Sequence, residues 1–347
     1  MNSKKFFDSY SNQNILVIAE IGVNHDGSTE KAVELVDQAK LCGADAVKFQ
    51  LFSAEKLAHP STPKVKYQKI TDRNDNHFSM LKKLEFSRKQ HKIVQEYCNK
   101  NDILFSTTAY DVSDIDFLAN LDVPFIKIAS ADIVDLPLIN KAAQTKIPLI
   151  ISTGMATEIE ISKTLKVLEI NKSDFCLLHC TSEYPTIEKH VFMNRIDHIK
   201  RISNGIFGFS DHTITNIASL LAIAKGARVV EKHFTLDKSA PGPDHAASAD
   251  VLDFKEFVHA IRSAEKMFGD GKFYRTIDEE DMARTSRKSL YLSNPLKKGE
   301  VIKSSDLYLR RPGDGLTGQE IENVCGLKAK YDLPQGHKIA MEDLTND

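Results

Sequence analysis

The 347-residue chain is 41% hydrophobic, long enough to bury a sizeable core and to carry one large domain with a small appendage. Its 46 lysines and arginines nearly balance 48 aspartates and glutamates, which leaves no long-range field to draw nucleic acid or a membrane surface as a partner. Five scattered cysteines without a C-x-x-C pair give neither a disulfide framework nor a structural zinc site, and the N-terminus lacks a signal-like or membrane-spanning apolar run, so a reducing cytoplasm is the expected location.

Short β-branched runs recur along the chain at 15–22 (ILVIAEIG), 46–51 (AVKFQL), 103–108 (ILFSTT), 125–130 (FIKIAS), 149–153 (LIIST), 175–180 (FCLLHC), 206–211 (IFGFSD) and 228–234 (RVVEKHF). Helical periodicity fills most of the gaps, at 30–42, 87–100, 135–144, 157–169, 189–201 and 214–225, and a last helix is expected at 251–268. Near-continuous apolar strands alternating with helices predict a parallel sheet covered on its outside, and eight such units match a closed (β/α)8 TIM barrel over residues 1–268. A doubly wound open sheet is the alternative, but EIGVNHDG after the first strand is not the Gly-rich turn that fold usually carries. Residues 52–80 join the second strand to its helix with little apolar period, and a loop that long is expected to act as a lid, with a disordered insertion as the alternative.

Beyond Phe268 the composition shifts through a linker at 269–283. The segments LKKGEVIKSSDL (296–307) and LPQGHKIAMEDL (333–344) share the pattern L-x-x-G-x-x-I-x-x-x-D-L. Two related copies predict a small pseudo-symmetric β-rich domain over 284–347.

In a barrel of this kind the active site lies at the C-terminal strand ends. Every strand ends in polar residues: Glu20 from the first, followed by Asn24 and His25; Lys48 and Gln50 from the second; Thr107 and Thr108 from the third; Lys127 and Ser130 from the fourth. The later strands supply Ser152, then Cys180 with Ser182 and Tyr184, then Ser210 and His212, then Glu231 and His233. Period two puts Lys48 with Gln50, Ser210 with His212, and Glu231 with His233 on shared faces. Adjacent strands lie about 4.8 Å apart, so His212 and His233 at matching heights are candidate ligands of one divalent ion with open positions. With no third soft ligand, Mn2+ or Mg2+ fits better than zinc.

Structural roles compete for the same residues. Lone strand histidines commonly serve as hydrogen-bonded core groups. Lys48 and Lys127 lie within apolar runs and need an anion or a carboxylate such as Glu20 in either reading. With the Ser130, Ser152 and Ser210 hydroxyls they form a diffuse cradle for a phosphate plus a carboxylate. Cys180 is expected to pack rather than to act as a nucleophile, and NHDG is as much a turn as a His25–Asp26 dyad.

The motifs IAEIGVNHDG, GADAVKFQ, KIAS, STGMA, LHCTSEYP, GFSDHT, EKHFTLD…GPDHAAS and LRRPGDGL occur in an order that resembles the sialic acid synthase family over nearly the whole chain. The resemblance implies a metal-dependent barrel with an antifreeze-like (SAF, β-clip) C-terminal domain, in a domain-swapped homodimer whose small domains cover the partner's active site. It implies condensation of phosphoenolpyruvate with an N-acylated mannosamine-type sugar to a nine-carbon 2-keto acid and phosphate. Carried over to this chain, His212 and His233 become the ligands of Mn2+, with Mg2+ or Co2+ as substitutes, and Glu20 the acid/base group. Lys48, Thr107 or Thr108, Lys127, Ser130, Ser152 and Ser210 surround phosphoenolpyruvate. Gln50, Ser182, Tyr184 and Asp244 face the sugar, and Arg311 of the other subunit reaches its acyl group. Sialic acid synthases typically carry asparagine where this chain has Ser182. TSEYP and HFTLDKSAPGPDHAAS look closer to legionaminic acid synthases, so a 2,4-diacetamido-2,4,6-trideoxymannose is the expected sugar, with N-acetylneuraminate or pseudaminate synthesis as alternatives. From other classes, a barrel metallohydrolase would want an early H-x-H, which the sequence lacks, and a binding protein would use the C-terminal repeat with the barrel as scaffold.

Overall fold

A computed structural model describes residues 3–10, 14–65, 68, 76–203 and 205–346. Parallel strands β1 (Leu16–Gly22), β2 (Ala46–Leu51), β3 (Leu104–Ala109), β4 (Ile126–Ile128), β5 (Leu149–Ser152), β6 (Phe175–Cys180), β7 (Phe207–Asp211) and β8 (Val229–His233) pair in chain order, and β8 closes onto β1. The expected (β/α)8 barrel is therefore present, and it lies in the first of two compact units, Met1–Phe268 and Gly269–Asp347. Among the described residues no helix is long and apolar enough to cross a membrane.

Side-chain alternation builds the barrel from the bottom up. Leu16, Ile18, Ala46, Phe125, Ile150, Cys176, Leu178 and Val229 point inward and form one apolar cluster, which Phe6 and Phe7 join from the N-terminal helix Ser3–Asp8. Their strand neighbours Val17, Ala19, Ile21, Val47, Phe49 and Leu51 point outward into a second cluster with Leu35, Val36, Val94, Leu138 and Ile139 of the surrounding helices. Burial of each such side chain contributes about 1.5–3 kcal/mol, which explains why both faces of every strand are apolar low in the barrel. Farther along most strands the inward face turns polar: Glu20, Lys48, Lys127, Ser152, Ser210 and Glu231 lie two residues beyond a non-polar residue, Thr108 lies two beyond Ser106, and all open at the rim.

Helices return the chain outside the barrel at the expected places, for example Thr29–Leu41, Arg88–Lys100, Glu158–Ile170 and Val251–Met267. Capping boxes start two of them, Ser87 with Gln90 and Thr157 with Glu160. The helix Val112–Asn120 after β3 was not among the expected ones. Asp111 caps it by accepting the Ser113 N–H, and its buried face includes Asp114, which pairs with Arg88 at 2.7 Å. An acidic residue on the core-facing side obscures the apolar period that would announce a helix.

In the second unit the sequence repeat is a structural repeat. Leu296 and Leu333 exchange both backbone hydrogen bonds at 2.8 Å, and Gly299 and Gly336 turn the chain at φ of 81° and 76°. Asp306 and Asp343 each accept a backbone N–H three residues back, from Lys303 and Ala340 at 2.9 Å. Strands β9 (Ser289–Leu292) and β10 (Leu307–Arg310) pair antiparallel, as do β11 (Lys328–Ala329) and β12 (Leu344–Thr345), around a core containing Leu296, Ile302, Leu333 and Ile339. The expected linker at 269–283 instead carries most of a helix, Ile277–Ser286, started by a Thr276–Glu279 capping box.

Candidate active site

The polar strand ends converge on a cavity of about 830 Å3. Two lysines and two carboxylates make its floor. Lys48 Nζ lies 2.5 Å from Glu20 Oε2 and 3.9 Å from Glu231, while Lys127 Nζ lies 3.8 Å from Glu231. Hydroxyls complete the shell: Lys48 donates to Thr108 Oγ1 at 2.9 Å, Lys127 to Ser152 Oγ at 2.7 Å, and Ser210 Oγ to Glu231 Oε1 at 3.0 Å. Gln50 Nε2 donates to Glu20 Oε1 at 2.9 Å. Charges buried this deeply are tolerable only as such a mutually paired set.

The environment separates the two carboxyls. Burial, reinforced by the charge of Glu231, raises Glu20 despite the opposing pull of Lys48, so Glu20 is a carboxyl poised to exchange a proton near neutrality. Burial acts on Glu231 in the same direction, but the charges of Lys127 and Lys48 outweigh it and keep Glu231 ionised. Burial also lowers Lys127. Divergent titration of neighbouring carboxyls in a cleft is a mark of a functional site.

The two histidines stand side by side at the rim, ring centroids 5.5 Å apart, with the Tyr184 ring 4.1 Å from His212 and 5.6 Å from His233. Burial lowers both imidazoles, so both are neutral, the form that ligates metals. His212 Nδ1 donates to the Thr181 carbonyl at 2.7 Å, which leaves Nε2 with its lone pair. His233 Nδ1 is buried without a hydrogen-bond partner, as is Glu231 Oε2. A neutral pair with a fixed tautomer and an orphaned ring nitrogen fits the expected divalent ion. Among the described residues no group of three or more His, Cys, Asp or Glu is arranged to hold a metal, so two imidazoles would leave the remaining positions to water or substrate oxygens. Asp244 adds a buried carboxyl 4.0 Å from His233, raised by burial to about 6.

Of the expected site residues, Glu20, Lys48, Gln50, Thr108, Lys127, Ser130, Ser152, Ser182, Tyr184, Ser210, His212, His233 and Asp244 all line this cavity. Thr107 does not. One residue out of phase with Thr108, it faces the helical shell, its hydroxyl 3.3 Å from His91 Nε2, so its assignment to the substrate site is corrected. Arg311 is exposed in the second unit, next to β10. The His25–Asp26 dyad does not form: His25 packs 4.3 Å from Phe86, Asp26 pairs with Lys31 and His245, and NHDG is the turn, with Asp26 and Gly27 at φ of 51° and 76°. Cys180 packs with Ser130 Oγ at 3.2 Å, and burial raises its thiol.

Two features went unassigned in the sequence. Glu231, two residues before His233 on the same face, holds both lysines. The other is an apolar wall, in which Phe52, Met80, Leu81 and Leu84 cluster with Val23 and Ala54 and border the cavity. These come from the 52–80 loop and helix His77–Leu84; residues 66, 67 and 69–75 of the expected lid lie outside the described residues.

The NeuB family model matches residues 35–273 and the SAF domain model residues 287–345. The chain belongs to the NeuB family. It is 39% identical over 340 residues to N,N'-diacetyllegionaminic acid synthase of Legionella pneumophila, covering 96% of both chains. It is 34% identical to pseudaminic acid synthase of Campylobacter jejuni, covering 96% of this chain and 97% of the relative. The crystal structure of an N-acetylneuraminic acid (sialic acid) synthetase from Leptospira borgpetersenii, bound to citrate, superposes with a TM-score of 0.69 at 31% identity, covering 78% of this chain and 90% of that one. The resemblance carried by the short motifs is thus a family relationship spanning both units.

Proposed function

We propose that this NeuB-family barrel is a nonulosonic acid synthase that condenses phosphoenolpyruvate with an N-acylated amino-sugar aldose and water, giving a nine-carbon 2-keto acid and inorganic phosphate. The observation that carries the reading is one cavity holding two buried lysines with hydroxyl partners beside two neutral imidazoles. The names of the relatives support the same reaction class.

In this reading Lys48 and Lys127, with Thr108, Ser130, Ser152 and Ser210, hold the phosphate and carboxylate of phosphoenolpyruvate, exchanging carboxylate partners for substrate anions. Gln50, Ser182, Tyr184 and Asp244 contact the sugar. Fixed orientation of the enol carbon against the open-chain aldehyde removes several kcal/mol of barrier. The new C–C bond joins the phosphoenolpyruvate methylene to the aldehyde carbon, whose oxygen becomes a hydroxyl. Water adds at C2, and the C2–O bond to phosphate breaks as the ketone forms. Glu20 moves the proton of the attacking water, consistent with a carboxyl raised by burial. His212 and His233 would hold a divalent cation, Mn2+ first, which when bound supplies Lewis-acid polarisation of the aldehyde. The apolar wall of Phe52, Met80, Leu81 and Leu84 suits a sugar with a methyl group and acetamido methyls, in keeping with 2,4-diacetamido-2,4,6-trideoxymannose. Arg311 acts from the second chain of a swapped homodimer, closing the partner's sugar site.

The test is phosphate release from phosphoenolpyruvate with Mn2+ and a panel of amino-sugars, with the product identified by mass. Release that requires both substrates and a mass equal to sugar plus pyruvate is expected. Phosphate released without sugar, at the same rate, would instead mark a hydrolase.

A further inference from the structure

The two imidazoles sit on tripeptides of the same design. Ser210-Asp211-His212 and Glu231-Lys232-His233 each place a polar residue inward, a charged residue outward, and a histidine inward. The register sets Asp211 level with Lys232 on adjacent strands, and on the outer face of the barrel their side chains form an ion pair at 3.2 Å, both buried.

This pair does more than neutralise itself. Asp211 Oδ1 accepts the backbone N–H and the hydroxyl of Thr213, each at 2.8 Å, and Oδ2 accepts Ser219 Oγ at 2.6 Å. Lys232 Nζ donates to the Thr213 carbonyl at 2.6 Å and lies 5.3 Å from the Phe257 ring centroid. The residue after His212 is therefore gripped from both strands, while the His212 carbonyl accepts the Thr186 N–H at 2.8 Å. A buried ion pair contributes little net stability over apolar residues of similar volume, because desolvation offsets the Coulomb attraction. In some proteins such a pair fixes register, and here it joins two strands that each lead into an imidazole.

We propose that Asp211 and Lys232 form a positioning clasp that sets the spacing and orientation of His212 and His233 from the outside of the barrel, without touching substrate. The proposal rests on the reading that the imidazoles hold a divalent cation. In that case loosening the clasp weakens cation affinity while leaving the ligands in place, by about 10-fold, the lower end of what loss of supporting contacts around a metal site costs.

The experiment is a Mn2+ titration of the full chain without substrates, reading free Mn2+ by its electron paramagnetic resonance signal. Asp211→Asn and Lys232→Met are each expected to raise the Mn2+ dissociation constant about 10-fold, and the double variant no more than either single one, since the pair acts as a unit. Turnover is expected to return as Mn2+ is raised, and because Mn2+ binding also stabilises a folded protein, urea unfolding without Mn2+ must show each variant fully folded under the assay conditions. Wild-type Mn2+ affinity in a folded Asp211→Asn protein overturns the clasp. Should that variant not fold, Thr213→Val decides: it removes one contact to Asp211, and weaker Mn2+ binding supports the clasp whereas unchanged binding rejects it. The control is His212→Ala. If it binds Mn2+ as wild type does, the cation reading itself fails and the clasp with it; if it loses Mn2+ while Asp211→Asn does not, only the clasp fails.

Discussion

Thr107 and Thr108 are chemically identical neighbours on β3 that face opposite sides of the barrel wall, so isosteric replacement of each separates chemistry from architecture. Thr108→Val removes the hydroxyl that accepts from Lys48 Nζ at 2.9 Å. A hydrogen bond to a buried charged group contributes about 1.5–3 kcal/mol, and if that is lost from the cradle the KM for phosphoenolpyruvate should rise about 10- to 150-fold. Thr107→Val instead leaves His91 Nε2, 3.3 Å away, without a partner in the helical shell. An unsatisfied buried acceptor costs about 1–3 kcal/mol of folding stability, and with the cavity untouched the kinetic constants should stay near wild type. Phosphate release at varied phosphoenolpyruvate gives the first quantity, and urea unfolding at matched protein concentration gives the second. Equal kinetic losses in the two variants would refute the claim that parity along β3 decides which threonine meets substrate.

Further expectations follow from the same geometry. Glu20→Gln should abolish most turnover, about 100-fold or more, while phosphoenolpyruvate still binds, because shape is kept and the proton-exchanging group is gone; binding by calorimetry beside kcat checks both halves. Exhaustive chelation should stop phosphate release and added Mn2+ restore it; full activity after chelation contradicts a role for a cation at His212 and His233. Gly208→Ala puts a Cβ 2.2 Å from the Val229 carbonyl and 2.5 Å from Leu178 Cδ2, where backbone cannot yield, so it should cost about 1–3 kcal/mol or more of stability, read as a lower urea midpoint at unchanged m. Acid should destabilise the fold through His25 and His91, which burial lowers to about 3 and about 4 from the usual 6.5, with the charge of His91 adding to the effect on His25. Their folded-state values are depressed and the favoured form is neutral. The contribution is therefore fully present above pH 6.5, and it falls as pH drops toward 4 because the unfolded chain takes up the protons first. At pH 5 the difference from the unfolded value is about 1.5 units, or about 2 kcal/mol for each histidine. Urea titrations at pH 7.5 and 5 should show His91→Gln losing less stability on acidification than wild type, and an identical pH response would contradict the assignment.

The barrel was legible because its strands are apolar on both faces and its helices carry ordinary caps, and the inner rim because one chemistry recurs at strand end after strand end. The same two-sided burial hides parity. Phe105 and Thr107 alternate with Leu104, Ser106 and Thr108, and hydropathy alone does not say which set faces inward. The helix Val112–Asn120 was hidden by Asp114, whose burial depends on Arg88 from another helix. Glu231 was visible as a strand-end carboxylate, yet its hold on two lysines depends on β2 and β4 arriving at its level, which no local pattern encodes.

The outer face of the rim follows the same logic one step further. Once His212 and His233 are placed inward, alternation sends Asp211 and Lys232 outward into a helical shell whose local rule is apolar, and strand register brings them level. A charge there breaks the rule that Val17, Ala19, Val47 and Phe49 follow in the same shell. Two such breaks, of opposite sign, adjacent, and each one residue before an imidazole, are most economically explained by a demand made from inside the barrel. A consistent sequence departs from local preference where function requires it, and the departure here lies behind the site rather than in it.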